Sequence, residues 1–316
     1  MTDGDSLLAR SRRPLVLGIG GGGDVVGALA TAELCRAHGA RPVVGGVTWE
    51  RRPIDPAPGP RAAAEIEAAR PLAPGVLAAT GSTRVRGSGV LFAESRMAEL
   101  LGEQTLLVDA TPGPEALANG LAAAAAALRS DLIVFVDVGG DALAHGSEPG
   151  LASPLCDAVL LGAAASLAAK DRVPVLGAIF GVGCDGELTV AEVLERLAEV
   201  AAAGGFAGAR GLTASVAARL QEAVDVIPTE ASAHALRCFR GELGETTIRQ
   251  GRRTVELSPV GAVSFYFDVV AAVRSAARLA AAVTHARDLD HANELLHGLG
   301  VRTELDYERD ALHTVR

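Results

Sequence analysis

Short apolar runs alternate with longer helical stretches through the first two thirds of the chain. Each run is rich in Val, Leu and Ile and gives way to Gly, Asp or Trp, which is typical of strands buried on both faces of a sheet. Such alternation predicts parallel strands joined by helices. We therefore expect an α/β fold with a Rossmann-like, mostly parallel sheet of five or more strands. The strongest predicted strands are residues 14–19, 41–49, 105–109, 132–138 and 173–180.

Helices are predicted between these strands, together with two weaker strands. The helix at residues 189–203 should begin at Thr189, because Glu192 completes a capping box one turn later. The weaker strands are expected at 76–79 and 90–92. The remaining predicted helices of this part of the chain are residues 24–37, 114–128 and 154–170.

The last third of the chain has a different pattern, predicted to be rich in helices with one small hairpin. Two helices are expected at residues 213–226 and 229–240, followed by a hairpin at 246–257 and a strand at 260–267. Residues 269–283 carry few charges, which predicts one buried helix. Burial of that helix between subunits would make the protein a homo-oligomer.

Neither an internal repeat nor a clear linker divides the chain. We interpret residues 1–13 as a flexible N-terminus and residues 14–300 as one Rossmann-like domain. Residues 301–316 are interpreted as a charged C-terminal tail.

A glycine run follows the first predicted strand and opens the first predicted helix. Gly18, Gly20 and Gly23 satisfy the G-x-G-x-x-G pattern, and Gly21 and Gly22 lie between them. Glycines at such a turn let the backbone approach a phosphate, and the amides at the helix start attract negative charge. A bound ligand is therefore expected here; the alternative is a tight turn that only packs helix against sheet.

Two acidic residues near this turn have more than one possible role. Asp24 most simply serves as the N-cap of the following helix, but its carboxylate would compete with a phosphate for the same amides. It could instead hold a divalent metal, a sugar hydroxyl or an amine. Glu50, at the end of the next strand, could bind the ribose hydroxyls of NAD(P).

Acidic residues also collect where later strands end. Asp137 and Asp141 flank Gly139 and Gly140 directly after the strand at 132–138. In a parallel sheet, ligands bind beyond the carboxyl ends of the strands, so these acids should share a crevice with the glycine turn. Asp137 and Asp141 are also the candidate metal ligands.

The neighbouring loops add further candidates. Asp185 and Glu187 follow the strand at 173–180, while His145 and Glu148 continue the loop after Asp141. Acids in such positions can ligate Mg²⁺ or Mn²⁺, bind sugar hydroxyls, or act as general acid and base. Asp137, Asp141, Asp185 and Glu187 are the predicted catalytic residues. The alternative is that Asp-Gly and Gly-Asp pairs are ordinary turn residues.

A proline-rich loop at residues 50–61 follows the only tryptophan, Trp49. Trp49 could stack on a base, and Arg51 and Arg61 could clamp a phosphate or carboxylate bidentately. Equally, Trp49 could belong to the core and the arginines to the solvated surface.

Composition and charge limit the class of protein. Of 316 residues, 49% are hydrophobic and 21% charged, and the net charge is −9, which argues against a nucleic-acid partner. No apolar stretch reaches the ~18 residues of a membrane span. The four cysteines are far apart, with no C-x-x-C pair, as expected in a reducing compartment. We expect a cytoplasmic protein that binds a small molecule.

Several long motifs resemble one known family. LGIGGGGDVVGAL, GGVTWERRPIDPAPGPR, FVDVGGDALAHGSEPGLASPL and GCDGELTVAEV are similar to the domain-of-unknown-function family numbered 1152, over roughly residues 14–210. The resemblance names no substrate. It implies that these segments form one site, made of Asp24, Trp49, Glu50, Arg51, Asp55, Arg61, Asp137, Gly139, Gly140, Asp141, Glu148, Asp185 and Glu187.

Three functions are compatible with these residues. The leading hypothesis is an enzyme that acts on a nucleoside, nucleotide or sugar phosphate by cleaving or eliminating at a C–O or C–N bond, with or without a divalent metal. The second is an NAD(P)-dependent oxidoreductase. The third is a non-catalytic sensor of a nucleotide-type ligand.

Overall fold

A sheet of nine strands forms the centre of the computed structural model, which describes residues 3–314. Four further short strands form two separate pairs. In chain order, the strands of the described residues are β1 (Pro14–Gly18), β2 (Val43–Val47), β3 (Ile66–Glu67), β4 (Arg70–Ala73), β5 (Val76–Ala79), β6 (Arg84–Val85), β7 (Thr105–Val108), β8 (Leu132–Val138), β9 (Val175–Phe180), β10 (Phe206–Gly211), β11 (Gly244–Ile248), β12 (Arg253–Leu257) and β13 (Val263–Phe267).

Helices connect and cover these strands. In the same part of the chain they are α1 (Gly4–Arg10), α2 (Asp24–Ala37), α3 (Ala93–Leu101), α4 (Pro114–Leu128), α5 (Pro154–Ala168), α6 (Val190–Ala202), α7 (Ala214–Val226), α8 (Glu230–Phe239), α9 (Val269–Ser275), α10 (Arg278–Val283), α11 (Leu289–Gly298) and α12 (Glu304–Thr314). None of these helices is long and apolar enough to cross a bilayer.

The five strongest strand predictions are confirmed as the parallel centre of the sheet. The spatial order is β10-β13-β9-β8-β1-β2-β7-β5-β4. Strands β9, β8, β1, β2 and β7 are mutually parallel, whereas the pairs at both edges run antiparallel. The hairpin is also confirmed, as β11 and β12, and the fold is a Rossmann-like α/β fold.

The order in which the chain adds strands to the sheet reverses between β1 and β8. From β1 the chain moves to β2 and β7 on one side, then returns to place β8 and β9 on the other side of β1. A crevice opens at such a switch point, beyond the carboxyl ends of the two strands. The turn after β1 and the loop after β8 therefore border the same space.

Helices cover both faces of the sheet, because its central strands are apolar on both. Leu15 and Leu17 of β1 share one core with α4 and α5, while Val16 shares the other with α2 and α7. The Thr189 capping box is present at the start of α6, with Glu192 N donating to Thr189 Oγ1 at 3.2 Å.

The expected buried helix at residues 269–283 is instead two short helices, α9 and α10, separated at Ala276 and Ala277. Their apolar side chains belong to the core formed with α5 and α11 of the same chain. The burial that suggested a subunit contact is therefore supplied within one chain, and homo-oligomerisation stays a prediction.

Both ends of the chain contain structure that the sequence pattern did not predict. Within residues 1–13, Gly4–Arg10 forms α1, which packs on β10 through a close approach of Gly4 to Ala207. Within 301–316, Glu304–Thr314 forms α12, with Glu304 and Glu308 buried. The sequence pattern also missed β10 and α3, and the strand expected at 90–92 is wrong. Phe92 is the N-cap of α3.

Close packing of α2 on the sheet predicts an effect for Gly27. A Cβ at this position would lie 2.2 Å from Val138 Cγ2, so Gly27→Ala should lower the free energy of unfolding by about 1–3 kcal/mol. The control is Gly298→Ala, at the end of α11, where no heavy atom lies within 4 Å. That change should be neutral or stabilising by up to about 1 kcal/mol. Urea denaturation measures both, and equal stability of the two variants would contradict the packing described.

Candidate functional site

A cavity of about 530 Å³ lies at the switch point between β1 and β8. The glycine turn, the ends of β2 and β8 and the turn after β9 border it, together with the starts of α5 and α8 and the tip of the β11–β12 hairpin. Eleven of the predicted site residues line this one cavity: Gly20, Gly21, Gly22, Gly23, Asp24, Glu50, Arg51, Asp137, Asp141, Asp185 and Glu187.

The glycine turn is left-handed at its centre and leaves two amides unpaired. Gly21 and Gly22 have φ values of +78° and +54°, which glycine adopts without strain. The Gly22 amide donates to the Trp49 carbonyl at 2.8 Å. The amides of Gly21 and Gly23 have no hydrogen-bond acceptor among residues 3–314. These two donors remain available to a ligand.

Gly18 has a packing role and does not line the cavity. A Cβ on Gly18 would lie 2.5 Å from the Asp24 carbonyl carbon. Glycine here lets β1 pass close to the start of α2, which is one of the roles that the motif assigns to its glycines.

Asp24 is not the N-cap that its position suggested. The N-cap is Gly23, and Asp24 is the first residue of α2. Its Oδ2 turns back to accept a hydrogen bond from the Gly20 amide at 2.9 Å. Burial, and then the charge of Asp137, raise the pKa of Asp24 to about 8.

Asp24 belongs to a group of three carboxylates, which we call the inner triad: Asp24, Asp137 and Asp157. One oxygen from each lies within 4.8 Å of the others. Asp137 is 1% exposed and Asp157 is 2% exposed. At this separation, two full charges near a protein surface repel by about 3 kcal/mol. Burial raises the pKa of Asp137 to about 7 and that of Asp157 well above its ordinary range.

Asp157 was not predicted from the sequence. It lies in the first turn of α5, which is buried on nearly every side. Its Oδ1 is buried and accepts no hydrogen bond in the described part of the chain. The preceding amides, of Leu155 and Cys156, donate to Glu304 instead, at 3.0 and 2.9 Å. The only sequence signal for Asp157 was an acid in the first turn of a helix that begins with Ser-Pro. Acids are common at helix starts, so this signal does not indicate a functional site.

A second group of three carboxylates, the outer triad, consists of Asp141, Asp185 and Glu187, again with one oxygen each within 4.8 Å. Burial raises the pKa of Asp141 and of Asp185 well above the ordinary range. The outer triad adjoins the inner one, because the charge of Asp137 adds to burial in raising the pKa of Asp141 and both residues line the same cavity.

Glu187 differs from the other acids because both of its oxygens are occupied. Oε2 accepts from the amides of Ala152 and Ser153 at 2.8 Å, and Oε1 from Ser153 Oγ and from Arg253 Nη1. Burial alone would raise the pKa of Glu187, but Arg253 and these donors outweigh it and lower the pKa. Glu187 therefore holds the loop before α5 and the hairpin in place.

Gly139 and Gly140 allow this crowding without touching the cavity. Their φ values are +133° and +127°. A Cβ on Gly139 would lie 2.2 Å from Asp185 Cγ, so only glycine permits the turn after β9 to approach β8.

Trp49 is a core residue. It is fully buried, its indole nitrogen donates to Glu308 Oε2 at 3.0 Å, and the Arg51 guanidinium lies 4.2 Å from its ring centroid. A base cannot stack on this ring, because Arg51 already covers it. Arg51 also donates to the Gly20 carbonyl and to Glu304.

Four predicted residues lie away from the cavity and hold loops. Asp55 pairs with Arg61, with Oδ2 2.7 Å from Nε. His145 Nε2 lies 3.0 Å from a Glu199 oxygen, and Glu148 accepts from the amides of His145 and Gly146.

Glu50 lines the cavity, but its carboxylate is engaged. Oε1 accepts from the Ala93 amide at the start of α3 at 2.5 Å. Burial is the main cause that raises the pKa of Glu50 to about 7. This bond occupies one of the two oxygens that a ribose diol would require.

Helix α12 closes the back of the site, in a region that the sequence suggested was a tail. Glu304 binds the start of α5 and Arg51, and Glu308 binds Trp49 and the Gly59 amide at 2.8 Å. The only signal was a pair of acids one helical turn apart, which more often indicates a solvated face.

A family model described as "Protein of unknown function (DUF1152)" matches residues 15–312. The chain belongs to this family. The match extends past residue 210 and covers the hairpin and most of α12. A search of curated proteins and a search of solved structures each found no match.

The raised pKa of Glu50 predicts a pH dependence of stability. The folded protein holds this proton more tightly than the unfolded chain, whose ordinary value is 4.5. The resulting stability is present below that value and is lost as pH rises through about 7. Relative to Glu50→Gln, wild type should lose on the order of 2–3 kcal/mol between about pH 5 and about pH 8.

Denaturant unfolding across this pH range measures the difference. Glu99→Gln, an exposed acid on α3, is the matched control and should run parallel to wild type. A Glu50→Gln profile parallel to wild type would show that Glu50 does not hold the proton.

Proposed function

We propose that this DUF1152 protein is an enzyme that acts on a nucleoside, nucleotide or sugar phosphate. The observation that carries the proposal is the meeting, in one cavity, of unpaired turn amides with two groups of three carboxylates. A volume of about 530 Å³ is within the range of small-molecule sites.

The charges at the cavity favour a substrate bound together with a cation. A phosphate bound without a cation at the Gly21 and Gly23 amides would lie close to the carboxylates of the inner triad, and the negative charges would repel each other. A hard divalent cation such as Mg²⁺ or Mn²⁺ removes that repulsion, because it binds carboxylate and phosphate oxygens together.

The mouth of the cavity carries positive charge. Arg52 and Arg249 are exposed and line it, and neither guanidinium has an ion-pair partner among residues 3–314. An anionic substrate would meet these side chains at the entrance and the carboxylates on the floor. Guanidinium groups bind phosphate with charge-assisted hydrogen bonds.

The proposed reaction is hydrolysis or elimination at a C–O or C–N bond. Asp141 and Asp185 lie in the cavity with burial that favours their protonated forms, so they can exchange a proton with a leaving group or a water molecule. Because both oxygens of Glu187 are occupied, this residue would position the loop before α5 and the hairpin rather than transfer a proton.

The proposal predicts that Arg249→Ala weakens the binding of the phosphorylated ligand roughly tenfold, or ~1.4 kcal/mol. The ligand comes from a thermal-shift screen of nucleotides, nucleosides and sugar phosphates with Mg²⁺, since a ligand of the folded state raises the unfolding temperature. Arg252→Ala is the matched control, on the same hairpin and exposed but outside the cavity lining.

Mass spectrometry of the incubated ligand then tests turnover. A stabilising ligand that is converted to product supports an enzyme. A ligand that binds and is never converted favours the sensor hypothesis. If no phosphorylated compound raises the unfolding temperature, the proposal is contradicted.

A further inference from the structure

The inner triad joins three elements that meet only through the sheet topology. Asp24 begins α2, Asp137 lies near the end of β8, and Asp157 is in the first turn of α5. All three side chains line the cavity, and one oxygen of each lies within 4.8 Å of the others. Three carboxylate oxygens this close together, carried on three different elements, are a donor set that Mg²⁺ or Mn²⁺ can use.

The positive charge beside the triad is already shared. The Arg51 guanidinium lowers the pKa of both Asp24 and Asp157, against the larger effect of burial. Arg51 also pairs with Glu304 at 3.3 Å and with Glu308 at 3.9 Å. One charge divided among these acids leaves the triad short of compensation.

Asp157 supplies an observation that does not depend on the clustering of acids. Two other buried acids of the molecule have donors: Glu304 binds two helix amides, and Glu187 binds three nitrogen donors and a hydroxyl. Asp157 is 2% exposed, lines the cavity, and its Oδ1 has no donor in the part of the chain described. A buried oxygen without a donor is costly unless something else binds it.

We infer that one divalent cation, Mg²⁺ or Mn²⁺, binds to Asp24, Asp137 and Asp157, and that it does so without substrate. The outer triad is excluded as the main site, because both oxygens of Glu187 already accept hydrogen bonds, from two amides, a hydroxyl and Arg253. The cation site itself does not depend on a substrate. Only one part of the inference rests on the proposed function: that a phosphate would bind at the amides of the turn before Asp24, beside the cation.

The donor set also selects the class of metal. All three ligands are carboxylates, with no histidine or cysteine in the triad. Hard oxygen donors suit Mg²⁺ and Mn²⁺, whereas Zn²⁺ sites usually include nitrogen or sulfur.

The test is Mn²⁺ binding to the full-length protein after dialysis against a chelator, followed by electron paramagnetic resonance of free Mn²⁺. Wild type should bind one Mn²⁺ per chain, and Mg²⁺ should displace it. Asp157→Asn should weaken binding roughly 10-fold or more, because even the loss of a residue that only supports a metal ligand costs about 10–100-fold. Asp185→Asn should change binding less than about threefold, because Asp185 belongs to the outer triad and is not one of the three proposed ligands.

Metal-free stability provides a second measurement. Asp157→Asn replaces one of three crowded carboxyl groups by a neutral amide, so the metal-free variant should unfold at a temperature at least as high as that of metal-free wild type, while wild type should gain more from Mn²⁺. If Asp157→Asn does not fold, Asp24→Asn replaces it with the same expected results.

Two results overturn the inference: no Mn²⁺ bound by wild type, or loss of binding in Asp185→Asn with retention in Asp157→Asn. Adding ADP as a separate step distinguishes this inference from the proposed function. Mn²⁺ bound with no effect of any phosphorylated compound upholds the cation site and contradicts the function. ADP bound by a protein that binds no Mn²⁺ contradicts the cation site and supports a phosphorylated ligand, whose conversion the mass spectrometry then tests.

Discussion

The crowding of six carboxylates around one cavity is the constraint to which the rest of the structure responds. Like charges at this separation repel, and burial makes each charge more costly. The fold compensates only part of this repulsion and of the cost of burying the carboxylates. Arg253 and the backbone neutralise Glu187, and single amides serve Asp24 and Asp137, while Asp157 Oδ1 has no donor in the described chain. A protein tolerates such stored repulsion where a ligand relieves it, which is how binding sites trade stability for function.

Arg51 links the parts of the molecule that this constraint forces together. It stacks on Trp49, donates to the Gly20 carbonyl and pairs with Glu304. Glu304 in turn holds the first amides of α5, and α5 carries Asp157. A chain of contacts therefore runs from the C-terminal helix to the glycine turn, and the last third of the chain supports a site whose own residues come from the first two thirds.

Glycine supplies the space that the acids need. At Gly139 the missing side chain admits Asp185, and at Gly20 it admits Asp24 and Asp157, whose Oδ2 atoms would lie 2.6 and 3.2 Å from a Cβ. The glycine pattern that resembles a dinucleotide fingerprint is thus used to bring carboxylates together as well as to expose amides. Under the proposed function, a phosphate binds at this turn together with a cation rather than alone.

The sequence by itself determined the parallel centre of the sheet, the capping box at Thr189, the hairpin, and the meeting of residues 18–24, 137–141 and 185–187. These features arise from local apolar periodicity and from the rule that parallel strands end at one edge. Tertiary structure alone decided the partner of Trp49, the roles of Glu304 and Glu308, and the place of Asp157. Each depends on side chains distant along the chain, and a helical acid carries the same local signal whether it faces water or a buried cavity.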